Sequence, residues 1–108
     1  MIDLHTHTLF SDGTSTLEEL LQEAENKKIE ILSITDHDTV KEHLELRKIN
    51  NPFTGQIIPG VEITTTYNGE IIEVLGYNFN IDKMNELLEQ YVPTRYQRFQ
   101  NEFELIKK

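Results

Sequence analysis

The sequence predicts an α/β fold of mainly parallel strands with flanking helices, amounting to about half of a barrel. Three observations lead there. Strand-like runs alternate with helix-like ones, the pattern of a parallel sheet with crossover helices. Polar, metal-seeking residues gather at the ends of the predicted strands, where parallel α/β folds place their sites. The chain has 108 residues, against about 200 or more for a complete barrel.

Residues 2 to 7 alternate as a short strand should, with Ile2, Leu4 and Thr6 on one face and Asp3, His5 and His7 on the other. Ser11-Asp12-Gly13-Thr14 is a turn. Two overlapping capping boxes follow, Ser15 with Glu18 and Thr16 with Glu19, opening a helix whose apolar stripe is Leu17, Leu20, Leu21 and Ala24. Ile29 to Ile34 is rich in β-branched residues and predicts a buried strand ending in Thr35-Asp36-His37-Asp38. Asp38 is the expected cap of a helix running to about residue 49.

Asn50 to Gly55 reads as a loop, and Gln56 to Thr66 as strand-like around Pro59-Gly60. Asn68-Gly69 is a tight-turn signal returning the chain into Glu70 to Phe79, where Ile71, Glu73, Leu75 and Tyr77 share a face. Met84, Leu87, Leu88 and Tyr91 mark a helix expected to stop at Pro93. Tyr96, Phe99, Phe103 and Ile106 mark another, whose uncovered apolar stripe suggests truncation or burial in a partner.

Composition narrows the function classes. With no cysteine, disulfides, thiolate metal sites and cysteine nucleophiles drop out, so any metal needs N and O ligands. A formal charge of −9 argues against strong nucleic-acid binding by this chain alone, because such affinity rests on Lys and Arg. No leader-like start and no apolar run long enough to span a bilayer are visible, so a cytoplasmic protein is expected, without a membrane partner.

The chemistry concentrates in four clusters: His5-Thr6-His7, Ser11-Asp12-Gly13, Asp36-His37-Asp38 and Gly60-Val61-Glu62. Residues i and i+2 of a strand project together, so His5 and His7 reach one ion or two neighbours, and imidazole suits Zn²⁺, Mn²⁺ or Fe. His37 is the third expected ligand, with Asp36 as a loop-ordering group. Glu62 lies in an apolar strand, where a carboxylate without a cationic partner is costly to bury. Asp12 alone would be ordinary turn chemistry. His43, mid-helix, is expected at the surface.

Together these motifs resemble the PHP (polymerase and histidinol phosphatase) superfamily, most closely its small stand-alone metal-dependent phosphoesterases. The likeness rests on Asp3-Leu4-His5-Thr6-His7 with Ser11-Asp12-Gly13, then Ile34-Thr35-Asp36-His37-Asp38, then Gly60-Val61-Glu62-Ile63. It implies that residues 1–108 are the N-terminal portion of a distorted (β/α)7 barrel, with 1–80 carrying the motifs and 81–108 helical. It also implies two or three divalent ions in a complete site. His5, His7 and Glu62 would hold the first, Glu62 would bridge to a second, and Asp12 with His37 would hold the third.

The implied activity is hydrolysis of a phosphoester, in a small phosphorylated substrate or nucleotide, through a metal-bridged hydroxide, with His5, His7, His37 and Glu62 as the catalytic set. Two departures from the family pattern stand out. Glu73 occupies a position where the family usually has histidine, which keeps it as a candidate ligand of altered charge. A late Asp-x-His pair is absent from residues 1 to 108. The sequence therefore leaves open a catalytically incomplete module serving metal binding, assembly or regulation, and a homo-oligomer completed through the C-terminal helix. An amidohydrolase-type C–N hydrolase is the nearest enzymatic rival, since such enzymes also open on His-x-His.

Overall fold

A computed structural model describes residues 1–93. Three strands, β1 (Ile2–Thr6), β2 (Ile31–Ile34) and β3 (Gln56–Ile57), form a parallel sheet in the order β1-β2-β3. Helix α1 (Leu17–Asn26) makes the crossover from β1 to β2, and α2 (Lys41–Leu46) the crossover from β2 to β3. The α/β expectation thus holds for this sheet. It does not hold for β4 (Gly60–Tyr67) and β5 (Glu70–Tyr77), which pair antiparallel as a separate hairpin.

Local chemistry explains the hairpin. Asn68 and Gly69 both take positive φ, 51° and 81°, the conformation a two-residue turn needs, and Tyr67 faces Glu70 across it. The strand-like stretch from Gln56 to Thr66 carries Pro59-Gly60 as its punctuation. Pro59 and Gly60 split it, because β3 completes the parallel sheet while β4 leaves it for the hairpin. Gly60 is required at that point: a Cβ there would collide with Ser33 Oγ.

Helix α1 begins as the sequence predicts, with one of the two overlapping boxes realised. Thr16 Oγ1 accepts from Glu19 N–H at 3.2 Å, and Glu19 Oε1 accepts from Thr16 N–H at 3.4 Å. Its stripe packs Leu17, Leu21 and Ala24 onto Leu32 and Ile34 of β2, with Ile29 and Phe53 closing the core. A smaller cluster of Val40, Val61 and Leu88 joins α2, the hairpin and the helical residues 81–93. Helical residues run to Pro93, the last described residue, so the expected helix end at Pro93 falls at the limit of the described residues. The stripe Tyr96, Phe99, Phe103 and Ile106 lies outside the described residues.

Two local expectations fail. Asp38 does not cap α2, which starts later with Val40 at its N-cap and no side-chain bond. Instead Asp38 adopts φ 58° and its Oδ1 accepts from Thr64 N–H at 3.0 Å, so the carboxylate fastens the loop to β4. His43 is not at the surface: it is 2% exposed. A period of three to four residues sets it on the inward face beside Val40, and short α2 has no other face turned to the core.

Candidate metal centre

The carboxyl ends of β1 and β2 and the start of β4 meet at one edge. Backbone bonds fix the meeting: Asp38 N–H donates to Glu62 O at 2.9 Å, and Glu62 N–H to Asp36 O at 3.1 Å, forming a parallel bridge between His37 and Glu62. Thr35 N–H donates to Thr6 O at 2.7 Å, setting the His37 loop against the end of β1. The histidine-bearing strands and the glutamate-bearing strand are thereby held together by main chain.

Side chains from all three converge on a single oxygen. Glu62 Oε1 lies 3.3 Å from His5 Nε2, 3.3 Å from His7 Nε2 and 3.5 Å from His37 Nε2. Asp12 stands on the other flank, with Oδ2 3.1 Å from His37 Nε2 and Oδ1 3.6 Å from His7 Nδ1. Glu73, projecting from β5, brings Oε1 to 4.0 Å from His37 Nδ1. The rings of His7 and His37 stack with centroids 4.7 Å apart, and His5 meets His7 edge-on at 5.1 Å.

Three donor groups result: His5, His7 and Glu62; His7, Asp12 and His37; His37, Glu62 and Glu73. Within each, the donor atoms lie within 4.8 Å of one another. Glu62 belongs to two of these groups, and Asp12 and His37 fall in one group with His7 beside them. Glu73 sits with His37 and Glu62.

The donor chemistry fits divalent cations. Glu62 is buried, and three imidazole nitrogens crowd one of its oxygens; His7 Nδ1 is buried with no hydrogen-bond partner. An unpaired buried nitrogen is costly, and a cation receiving its lone pair removes that cost. All the donors are N and O, the set that suits Zn²⁺, Mn²⁺ or Fe rather than a thiolate-seeking ion. His5, with half its side chain exposed, marks the open side of the cluster.

Asp36 works beneath these donors. It is fully buried and accepts three bonds at 2.6 Å, from Thr8 N–H, Thr8 Oγ1 and Ser11 Oγ. Charge-assisted bonds of this length are the strong ones. They pin the loop from Thr8 to Gly13, and so the placement of Asp12. Sequence reasoning gave Asp36 this loop-ordering role but missed Thr8, whose burial depends on a strand it touches only in three dimensions.

A fold of parallel strands with histidines and carboxylates gathered at the strand ends defines a class, the α/β proteins with a rim site suited to several metals. Within it the chain belongs to the PHP domain family, whose pattern matches residues 3–107. The 5'-3' exoribonuclease Rnm of Escherichia coli (strain K12) is 38% identical over 102 residues, covering 91% of this chain and 35% of that protein.

Solved structures agree on the fold. An amidohydrolase from Chromobacterium violaceum superposes with a TM-score of 0.75 at 24% identity, covering 93% of this chain and 36% of the other. A chain from Bifidobacterium adolescentis, classed as a metal-dependent phosphoesterase, gives 0.72 at 24% identity, covering 98% and 38%. This chain therefore spans about a third of the length of these relatives, and its fold is a partial barrel. Among the described residues no helix is long and apolar enough to cross a membrane.

Proposed function

We propose that this chain carries the metal-binding part of a phosphoesterase that hydrolyses phosphoester bonds in a small phosphorylated substrate or a nucleotide. The observation that carries the reading is the convergence of His5, His7 and His37 on Glu62 Oε1. The exoribonuclease relative supports it, since cleaving RNA is phosphodiester chemistry.

His5, His7 and Glu62 would hold one cation, His37 with Glu62 and Glu73 a second, and Asp12 with His37 and His7 a third. Divalent ions there would supply Lewis acidity to a phosphoryl oxygen and lower the pKa of bound water. The chain's own contribution is placement. Asp36 keeps the Asp12 loop rigid, the His37–Glu62 bridge fixes the two middle donors, and exposed His5 and Glu73 leave the cluster open to an anionic substrate. Hydrolysis then joins a water oxygen to phosphorus as the ester P–O bond breaks and the leaving alcohol takes a proton.

A second reading has its own support. Strand β5 exposes apolar side chains along its length, Ile71 to 71%, which suits a metal-binding module that further polypeptide completes. Metal content by elemental analysis, together with Mn²⁺-dependent cleavage of bis(p-nitrophenyl) phosphate beside the His37→Ala variant, separates the two. Metal with turnover that His37→Ala abolishes supports the enzyme; metal without turnover supports the module; no metal at neutral pH overturns both.

A further inference from the structure

Directly behind the site, α2 turns two successive polar residues inward. Glu42 is 0% exposed and His43 2%. His43 Nε2 lies 3.0 Å from Ile34 O, 3.2 Å from Gly60 O and 3.3 Å from Gly60 N. Ile34 ends β2, three residues before His37, and Gly60 starts β4, two residues before Glu62. One imidazole thus spans the junction of the two sheets, at the level where the central donors emerge.

The two carbonyls, both nearer than Gly60 N, favour the proton on Nε2. Burial pushes the His43 imidazole below its ordinary pKa, so it is neutral. Burial likewise pushes the Glu42 carboxyl up to about 9, and nearby Asp36 adds to the shift. The 3.3 Å approach of His43 Nε2 to Glu42 Oε1 is therefore between two neutral groups and not an ion pair. A polar imidazole buried behind the site and bonded to backbone of both sheets is costly to place there and needs a compensating role.

We propose that His43 is a positioning residue of the metal centre: it sets the separation of His37 and Glu62 by tying Ile34 to Gly60. It acts through backbone. This inference rests on the metal-centre reading above for its consequence, but not for its geometry.

The test compares His43→Gln, which keeps a neutral polar group, with His43→Leu, which does not. Mn²⁺ binding is followed by calorimetry. In the metal-free protein, the ring ¹⁵N signals of His7 and His37 are followed by NMR, and thermal unfolding by circular dichroism. The leucine variant is expected to bind Mn²⁺ about 10-fold more weakly or worse, the range seen when groups that orient ligands are removed. It should also shift the His7 and His37 signals, while the glutamine variant stays near wild type in both.

A leucine variant that folds, binds Mn²⁺ as wild type and leaves the ring signals in place overturns the proposal. So does a glutamine variant that loses as much as leucine, since packing alone would then explain the loss. Should His43→Leu not fold, His43→Asn, polar but too short to reach both strands, takes its place. Wild type that binds no Mn²⁺ would refute the metal-centre reading alone; the ring signals would still decide the positioning role.

Discussion

Glu62 Oε1 lies 3.3 Å from His7 Nε2, although His7 follows β1 of one sheet and Glu62 lies in β4 of the other. A buried carboxylate oxygen shared with three imidazoles makes Glu62 the hinge of the candidate site. Glu62→Gln should therefore weaken Mn²⁺ or Zn²⁺ binding by at least about 10-fold, because an amide oxygen carries no charge to offset the ion. Equilibrium dialysis followed by elemental analysis measures this. Binding unchanged in the variant would remove Glu62 from the ligand set.

Metal should also stabilise the fold, since the donors come together only when the chain is folded. A cation held at about 100 times its Kd would add about 2.7 kcal/mol. Thermal melts with Mn²⁺ and with EDTA check it. Melts that coincide at saturating metal would contradict a site formed by the folded state.

Removing the Asp36 carboxylate leaves Thr8 N–H and two hydroxyls without their acceptor in a buried place. Asp36→Ala should cost on the order of 3 kcal/mol in urea unfolding, as expected when buried donors lose a charged partner. A loss below about 1 kcal/mol would mean the Thr8 to Gly13 loop is held by something else.

Glu42 gives stability a pH dependence of definite sign. Its carboxyl titrates near 4.5 when exposed and at about 9 in the folded chain, with burial as the main cause. Between those values the folded state keeps a proton the unfolded state has lost. The contribution is full below about 4.5 and declines as pH rises to about 9, with a limiting slope of about 1.4 kcal/mol per pH unit. Urea midpoints of wild type relative to Glu42→Gln, taken from about pH 5 to about pH 9, should fall steadily. A flat difference would show Glu42 ionised in the native state.

The capping box is the simplest case. Thr16→Ala should cost about 1 kcal/mol by loss of the bond from Glu19 N–H. Ser15→Ala should cost less, because the Ser15 box predicted beside it is not the one formed. Equal losses at both positions would speak against the observed register of α1.

Much of the fold was readable because its signals are local. Thr16 with Glu19 starts a helix through atoms three residues apart, and Asn68-Gly69 folds its own hairpin. His5, His7, His37 and Glu62 were named from residue type and strand position, and Asp12 and Glu73 from the family resemblance. Asp38 misled for an equally local reason: aspartate caps helices, but here its carboxylate is taken by Thr64 from a distant strand. His43 misled because a polar residue in a helix defaults to solvent, and only the backbone of Ile34 and Gly60 makes its burial tolerable.

By itself, then, the sequence determined which residues offer N and O donor atoms and that His5, His7, His37 and Glu62 cluster about strand ends, since strand periodicity and side-chain chemistry are properties of neighbouring residues. Tertiary structure alone decided that three imidazoles share one oxygen of Glu62, that β4 and β5 leave the parallel sheet, and that Glu42 and His43 lie buried behind the site. Those outcomes depend on contacts between residues far apart along the chain, where burial and hydrogen-bond satisfaction outweigh any local preference.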